Sequence, residues 1–343
     1  MTVKTKRGGV RHVASAYAAI GLSVLLAVCC CDDIQASQRD SRTEAIRTKL
    51  LSDDRNYVFV AMHRGDWRNY PENSRGAIES CIALGADIVE LDVRKTKDGR
   101  FVLLHDDSLD RTTDGHGKVS QHLFSEVKAL HLKMGMGGKD ARVTDCPVMS
   151  LEEALELTHG RILVNIDKFT LHPREILEVV DKVGALKEVL VKSTLSAADA
   201  RALFGDYWKR VESGELLYMP IVQLGGKQEP CASEILPGYI ALEPRPASMY
   251  EVCLKDEASV PKLDAVRMVP SRPRIWINMM WDGLAAGRGE ADHALPKGRV
   301  LRLTDPDAVW GRALGWGATM LQSDYGAELL VYLNRVGRHD ITK

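Results

Sequence analysis

Three acidic side chains are placed where they could bind a metal ion. Glu90 and Asp92 are two residues apart in an apolar segment, and on a β-strand that spacing points both side chains to the same face. Asp167 ends a second segment of the same kind. Neighbouring carboxylates repel one another unless a cation lies between them, and hard divalent cations prefer oxygen ligands. The three acids together predict a site for Mg²⁺ or Ca²⁺, whereas a lone Glu-x-Asp more often pairs with Arg or Lys.

Two histidines, His63 and His105, also follow strand-like segments. Imidazoles titrate near neutral pH, so one of them can accept a proton while the other donates one. Hydrolysis of a phosphodiester needs such a pair, because one proton leaves the attacking oxygen and another reaches the leaving alkoxide. Arg64 adds a guanidinium that can bind two phosphate oxygens, unless it forms a salt bridge with Glu72 or another nearby acid.

Strand-like and helix-like segments alternate along the chain from about residue 57. About eight such repeats favour an α/β fold of the (β/α)8 TIM-barrel type over an open sheet, and barrel enzymes place their chemistry at the C-terminal strand ends. Strands are predicted at 57–63, 87–94, 162–167, 189–193, 218–224, 239–242, 275–279 and 319–322, with 100–105 extending the second unit. Helices are predicted at 73–84, 150–158, 173–183, 197–210, 306–314 and 327–336.

The stretch 107–147 lacks clear periodicity and is predicted to be an insertion over one end of the fold, where it could serve as a lid. The rest of 57–343 is predicted to form a single barrel domain. The first strand is followed by His-Arg-Gly-Asp-Trp, which is not the Gly-x-Gly-x-x-Gly loop of a Rossmann fold. It is not the His-x-His pair of metal-dependent amidohydrolases either.

The first 36 residues have the composition of an export signal. Four basic residues within the first eleven positions precede an apolar and small-residue run over 13–31. A retained membrane anchor is the alternative. Cys29-Cys30-Cys31 suggests a lipoprotein cleavage site and a membrane tether through a lipid, although Val28 stands where a small residue is expected; cleavage after Ala36 would release a soluble protein. Either route predicts a periplasmic or extracellular domain, joined through a linker and entry segment at 37–56.

The charges of the chain are balanced, with 46 basic and 47 acidic residues and a net charge of -1 at pH 7. No basic surface is predicted, so nucleic acid is not an expected partner. An oxidising compartment would allow Cys231 and Cys253 to form a disulfide, and buried free thiols are the alternative. No cysteine and histidine cluster with zinc spacing is present.

Several motifs resemble the signature of the glycerophosphodiester phosphodiesterase family. HRG at 63–65 is followed by PENS at 71–74 and by the block VELDVRKTKDGRFVLLHDDSLDRTTDGHG at 89–117. PVMSLEEAL at 147–155, VNID at 164–167 and GATMLQSDY at 317–325 extend the similarity over about 57–335. The long block is highly specific, whereas HRG or PEN alone would not be.

The resemblance implies a TIM barrel with a small insertion after the second strand and hydrolysis of glycerophosphodiesters to glycerol 3-phosphate and an alcohol. It implies Mg²⁺ or Ca²⁺ held by Glu90, Asp92 and Asp167, and it implies that His63 and His105 are the general acid and base.

The chain departs from the family pattern near Asp167. The family often has Glu there and a lysine two residues later, where this chain has Phe169. Strand alternation would turn Lys168 outward. Lys192, near the end of the strand predicted at 189–193, is therefore a candidate for binding the phosphate, with a surface lysine as the alternative.

Glu243 and Trp276, at the sixth and seventh predicted strands, are candidates for binding the alcohol, although core packing explains Trp276 equally well. Two other functions stay open. A related barrel phosphodiesterase could act on intact or lyso-phospholipids, as a phospholipase D or C does, and would have an exposed apolar rim. A catalytically silent barrel could bind phosphorylated ligands, but it would be expected to lack one of the five histidines and acids, all of which are present.

Overall fold

The computed structural model describes residues 42–225, 232–281, 284–286, 289–290 and 304–341. The predicted export signal and Cys231 lie outside these residues, so the cleavage site and the pairing of Cys231 with Cys253 stay predictions. In the described part of the chain, none of the helices combines the length and the apolar character that crossing a membrane requires.

Eight parallel strands form a closed barrel, which confirms the predicted fold class. The strands of the described residues are β1 (Phe59–Met62), β2 (Ile88–Lys95), β3 (Phe101–Leu103), β4 (His131–Lys133), β5 (Val143–Pro147), β6 (Leu163–Asp167), β7 (Val189–Ser193), β8 (Leu217–Leu224), β9 (Met249–Leu254), β10 (Arg274–Asn278) and β11 (Met320–Ser323). The barrel strands are neighbours in the order β1, β2, β6, β7, β8, β9, β10 and β11, and β11 pairs with β1 to close the barrel. β3 runs antiparallel to β2, and β4 pairs with β5 outside the barrel.

Helices connect the barrel strands and cover their outer face. The helices of the described residues, including α1 before the barrel and α3 in the insertion, are α1 (42–51), α2 (Arg75–Leu84), α3 (Phe124–Lys128), α4 (Leu151–Thr158), α5 (Pro173–Lys182), α6 (Ala197–Phe204), α7 (Trp208–Glu212), α8 (Ala232–Ile240), α9 (Asp264–Arg267), α10 (Trp310–Gly315) and α11 (Gly326–Arg335). Ser150 and Glu153 form a capping box at the start of α4. The Ser74 hydroxyl accepts from the amide of Ala77 and begins α2 in the same way.

Alternation along each strand separates the barrel interior from the helix-facing side. In β2, Val89 and Leu91 pack in the core shared with the helices, whereas Ile88 packs in the core inside the barrel. The interior core takes its side chains largely from the first residues of the strands, such as Phe59 and Leu163. Apolar side chains therefore fill the N-terminal end of the barrel, and the polar residues lie toward the C-terminal end.

Helix α1 closes the N-terminal end of the barrel, and Arg274 holds it there. Ile46 and Leu50 of α1 belong to the interior core. The fully buried Arg274 donates hydrogen bonds to the carbonyl of Leu50 at 2.5 Å and to those of Lys49 and Ser52, at the end of the helix. A cation at a helix C-terminus also interacts favourably with the helix dipole. Burial lowers the pKa of Arg274 to about 10, so it stays charged at neutral pH.

Arg274→Leu is expected to lower the free energy of unfolding by about 2–4 kcal/mol, because several buried carbonyls lose a charged donor. Urea unfolding followed by circular dichroism measures the change. Arg174→Leu is the control: Arg174 donates to the carbonyls of Leu203 and Ala202 in an exposed position, so its loss should cost about 0.5 kcal/mol or less. Equal effects of the two substitutions would contradict the assigned role of Arg274.

The strand predicted at 239–242 is wrong. These residues belong to the end of α8 and the turn after it, and the sixth barrel strand is β9 at Met249–Leu254. A four-residue apolar run does not distinguish a strand from the end of a helix. The helix predicted at 197–210 is interrupted at Gly205, whose positive φ of 58° ends α6.

The remaining predicted strands agree with the observed ones to within two residues at each end. The insertion at 107–147 has regular elements that the sequence did not predict, namely α3 and the β4–β5 ladder, packed on a small core that includes Leu109, Val127 and Leu132.

Candidate active site

The structure brings the three predicted metal ligands together. β2 and β6 pair in parallel with Asp92 opposite Asp167. Since Glu90 lies two residues before Asp92, its side chain points the same way, into the barrel. One carboxylate oxygen from each of the three acids lies within 4.8 Å of the other two. Register and alternation therefore place three acids at the C-terminal mouth of the barrel.

The donor set of this cluster fits a hard divalent cation. Asp92 Oδ1 is buried and has no hydrogen-bond partner among the described residues, and the same holds for Oδ1 of Asn165, which lies opposite Glu90 on β6. Burial, followed by the charge of Asp92, raises the pKa of Glu90 to about 8. Buried oxygens without donors and mutually repelling carboxylates are stabilised by a cation with oxygen ligands.

Lys168 faces the acid cluster, so the prediction that it points outward is wrong. Its Nζ lies 2.9 Å from Asp167 Oδ2 and 3.6 Å from Asp92 Oδ1. β6 ends at Asp167, and Lys168 adopts a left-handed conformation with φ of 60°, so strand alternation no longer applies. Burial acts to raise the pKa of Asp167, but the charges of Lys192 and Lys168 lower it below its usual range.

Lys192 points into the barrel from β7, which excludes the surface alternative. Its Nζ lies 2.9 Å from Glu251 Oε2 on β9. Burial acts to lower the pKa of Lys192, but the charges of Glu251 and Asp167 raise it above its usual range. Lys192 is thus a buried cation inside the barrel.

His63 follows β1 and is held by Asp324, which follows β11. His63 Nδ1 lies 2.7 Å from Asp324 Oδ1, and the indole N–H of Trp67 donates to the same oxygen at 2.8 Å. Burial acts to lower the pKa of His63, but the hydrogen bond to Asp324 and the charge of Glu90 raise it. Asp324 was not among the predicted site residues, although it lies in the quoted GATMLQSDY motif directly after a predicted strand.

Glu290 supports the turn that carries Asp324. Its carboxylate accepts from the Ser323 hydroxyl at 2.5 Å, from the Trp310 indole at 2.6 Å and from the Asp324 amide at 3.0 Å. Burial raises the pKa of Glu290 to about 7. Glu290 lies 34 residues from Asp324 in sequence, and no sequence pattern indicated that the two residues would meet.

His105 belongs to a second network, which leads to Arg64 beside the acid cluster. Its Nδ1 lies 2.7 Å from Asp106 Oδ1, and Asp106 is held by Arg111 at 2.7 Å. Arg111 also donates to Glu72 at 2.8 Å, and Glu72 accepts from Arg64 at 3.0 Å. Each histidine therefore has an acid on Nδ1, and this fixes the ring with Nε2 available for chemistry.

Arg64 forms the salt bridge that was the alternative to binding phosphate. The guanidinium is buried between Glu72 and Asp92, with Nε 3.4 Å from Asp92 Oδ2. The backbone amide of Arg64 donates to Glu90 Oε2 at 2.9 Å. Arg64 thus positions the acids and links them to the network of His105.

The two candidates for binding the alcohol do not lie at the mouth. Glu243 is exposed in the loop that precedes β9, so it lies toward the opposite end of the barrel from the acids. The prediction that Glu243 follows a barrel strand is wrong, because residues 239–242 do not form a strand. Trp276 is fully buried in the interior core, with its indole N–H donating to Asn278 at 2.6 Å. Core packing is therefore what the structure shows for Trp276.

Comparison with known proteins identifies relatives over part of the chain. Residues 63–227 match the sequence model described as Glycerophosphoryl diester phosphodiesterase family, and 218–333 match one described as Domain of unknown function. A glycerophosphodiester phosphodiesterase of Caldanaerobacter subterraneus subsp. tengcongensis is 42% identical over 143 residues, which is 40% of this chain and 58% of that protein. One from Bacillus altitudinis is 40% identical over 110 residues, or 32% and 44% of the two chains. The chain thus spans about half the length of these curated relatives.

Solved structures share the fold over most of the chain. The crystal structure of a glycerophosphoryl diester phosphodiesterase from Parabacteroides distasonis ATCC 8503 has a TM-score of 0.64 and 20% identity, covering 86% of this chain and 92% of that one. An Oleispira antarctica phosphodiesterase in complex with the product sn-glycerol-3-phosphate has a TM-score of 0.51 and 17% identity, covering 81% and 97%. At these identities the likeness establishes the barrel fold.

Proposed function

We propose that this protein is a member of the glycerophosphoryl diester phosphodiesterase family, whose sequence model residues 63–227 match, and that it hydrolyses glycerophosphodiesters to glycerol 3-phosphate and an alcohol. One observation carries the proposal. Two histidines, each oriented by an acid on Nδ1, flank a cluster of three carboxylates at the barrel mouth. The amide of Arg64, the residue after His63, donates to Glu90, and the network of His105 leads through Arg64 to Asp92. A barrel that only binds phosphorylated ligands would not need this arrangement.

The proposed mechanism divides the work between the histidines and the acids. A divalent cation held by Glu90, Asp92 and Asp167 would polarise the phosphoryl oxygens and offset negative charge in the transition state. One imidazole takes the proton of the attacking oxygen, and the other donates a proton to the leaving alcohol oxygen. Asp324 and Asp106 keep His63 and His105 oriented for these transfers.

Lys168 replaces Lys192 as the proposed phosphate-binding lysine. Its side chain lies at the mouth and is about one quarter exposed, at 26%, whereas that of Lys192 is 9% exposed and paired with Glu251. A substrate phosphate above the acids would be within reach of the Lys168 ammonium, which can bind it as a point charge. The charge of Lys192 instead offsets that of the buried acids, Asp167 among them.

The proposed function is tested by offering glycerophosphocholine, glycerophosphoethanolamine, glycerophosphoglycerol and glycerophosphoinositol with Mg²⁺ or Ca²⁺. We expect glycerol 3-phosphate to be released from at least one of them, measured by a coupled glycerol 3-phosphate dehydrogenase assay. Lysophosphatidylcholine is included to test the alternative activity on lipids. Release of phosphocholine in place of glycerol 3-phosphate, or cleavage of the lipid alone, would refute the proposal.

Export stays a proposal that rests on the first 36 residues. Mass spectrometry of the mature N-terminus from membrane and soluble fractions distinguishes a lipid-anchored protein from a released one. A lipidated cysteine supports the anchored form, a terminus at residue 37 supports the released form, and an intact Met1 in the cytoplasm would exclude both.

A further inference from the structure

An arginine is held between two aromatic rings beside His63. The guanidinium carbon of Arg68 lies 4.2 Å from the centroid of the Trp67 ring and 3.8 Å from that of the Tyr325 ring. Both contacts are within the range of cation–π attraction. A guanidinium is planar, and its N–H groups point outward in its plane, so a guanidinium packed against ring faces keeps its donors available at the edge. We call Trp67 and Tyr325 the aromatic clamp.

Arg68 forms no ion pair in the described part of the chain, although its charge helps to lower the pKa of Asp324. No carboxylate there lies within 4.0 Å of its guanidinium, and Arg68 donates no side-chain hydrogen bond. The other two arginines of the mouth differ, because Arg64 and Arg111 are both paired with Glu72. Arg68 is also exposed. An oriented and unpaired guanidinium is suited to bind an oxyanion through two parallel hydrogen bonds.

The aromatic clamp is attached to the His63 side of the site. The indole N–H of Trp67 donates to Asp324 Oδ1, the oxygen that also holds His63. Tyr325 directly follows Asp324, so the clamp joins the loops after β1 and β11. The acids lie on β2 and β6, which are on the other side of β1 in the barrel. A phosphodiester above the acids would therefore extend one of its two arms past His63 toward Arg68.

The chemistry of the substrate determines which of its two portions, the glycerol or the alcohol, could bind the Arg68 guanidinium. The glycerol arm of a glycerophosphodiester carries hydroxyl groups and no charge. An oxyanion that reaches Arg68 must then belong to the alcohol arm, as a phosphate monoester or a carboxylate.

We propose that Arg68, oriented by Trp67 and Tyr325, binds an oxyanion on the alcohol portion of the substrate. The enzyme then favours glycerophosphodiesters whose alcohol carries a phosphate monoester or a carboxylate over those whose alcohol is neutral or a quaternary ammonium. This specificity rests on the proposed hydrolytic function and adds the substrate class to it.

The test compares substrates that differ by one anionic group. Glycerophosphoinositol 4-phosphate is paired with glycerophosphoinositol, and glycerophosphoserine with glycerophosphoethanolamine. We expect kcat/KM of the wild type to be at least about tenfold higher for the anionic member of one pair, as for a hydrogen bond to a charged group. The pair that shows the preference distinguishes phosphate from carboxylate. In Arg68→Gln the ratio should fall to about one, and in Arg68→Lys it should lie between these values.

Arg75→Gln is the matched control. Arg75 is exposed at the start of α2, 3.7 Å from Glu79, and lies outside the proposed binding residues. It should keep the wild-type ratio for both substrate pairs. A wild-type ratio near one, or an Arg68→Gln variant that loses the same factor on all four substrates, would overturn the proposal. The second result would mean that Arg68 acts on the cleaved phosphate.

A binding measurement separates this inference from the proposed hydrolysis. If the wild type cleaves none of the four substrates, the proposed function fails, and titration calorimetry with inositol 4-phosphate and with inositol still tests Arg68. The inference requires that inositol 4-phosphate binds at least about tenfold more tightly to the wild type than to Arg68→Gln. Equal affinity for the two proteins would overturn it.

Discussion

Removing divalent cations with EDTA is expected to abolish the release of glycerol 3-phosphate, and adding Mg²⁺ or Ca²⁺ in excess is expected to restore it. The physical reason is the cluster of Glu90, Asp92 and Asp167, whose oxygens lie within 4.8 Å of one another. Without a cation, this negative charge would repel the phosphodiester that has to bind above it. Activity that persists after exhaustive chelation would remove the metal from the mechanism.

Glu90→Gln tests the same site by changing the cation concentration that activity requires. One fewer carboxylate lowers the charge of the ligand set, and cation affinity in oxygen sites depends on that charge. The cation concentration at half-maximal activity should rise at least about tenfold, measured by titrating Mg²⁺ and Ca²⁺ into metal-free protein. Glu79→Gln is the control, because Glu79 is exposed on α2. A Glu90→Gln variant with an unchanged cation requirement would exclude Glu90 as a ligand.

The stability of the metal-free protein gives a second readout that does not depend on turnover. Burial and the charge of Asp92 raise the pKa of Glu90 from 4.5 to about 8. Between these values the folded state binds more protons than the unfolded state, so stability falls as the pH rises through this window. Glu90→Gln should flatten that decline in Tm. Added cation should raise Tm of the wild type at pH 8 more than that of the variant.

The acid cluster could be predicted because it depends on local rules. Strand alternation alone places Glu90 and Asp92 on one face, and parallel pairing of neighbouring strands puts Asp167 beside Asp92. The barrel itself follows from repeated strand and helix patterns, each of which is read from a short segment.

Alternation failed where the strand ended. Lys168 was assigned an outward direction by continuing the period of two past Asp167, but its backbone turns to φ of 60° and the ammonium returns to the acids. The contacts with Asp167 and Asp92 favour that turn. They depend on tertiary structure, so no local pattern could show it.

The sixth strand was misplaced because its own sequence contains a charge. Glu251 is buried in the middle of β9, where its carboxylate is offset by Lys192 at 2.9 Å. An apolar run at 239–242 therefore looked more like a strand than the true segment did. Lys192, which offsets the buried charge of Glu251, is 59 residues away in sequence. A single sequence does not reveal such a pairing.

The same limit applies to the groups that orient the histidines. Asp324 lies 261 residues from His63 in sequence, and the two meet because β11 closes the barrel against β1. Asp106, in contrast, is the next residue after His105 and could have been proposed from the sequence. Barrel closure, as much as proximity in sequence, therefore determines which carboxylate hydrogen-bonds to a histidine.

His105→Ala is expected to lower kcat by at least about a hundredfold, because it removes one of the two groups that we propose to transfer protons. The side chain is 31% exposed, so the substitution should leave the fold intact. Steady-state kinetics with the preferred glycerophosphodiester measures the loss, and circular dichroism checks the fold. KM should change far less than kcat, since proton transfer is required in the transition state and not for binding.

His116→Ala is the matched control for that substitution. His116 lies in the insertion that follows His105 and also has an acid on Nδ1, Asp110 at 3.2 Å, but its side chain is 85% exposed. It should retain wild-type kcat. The pH profile of kcat separates a proton-transfer role from a structural one: His105→Ala should lose one limb of the bell that two titrating groups produce. A variant with reduced kcat but both limbs intact would show that His105 acts through packing or through Asp106, and the proton would have to come from another group.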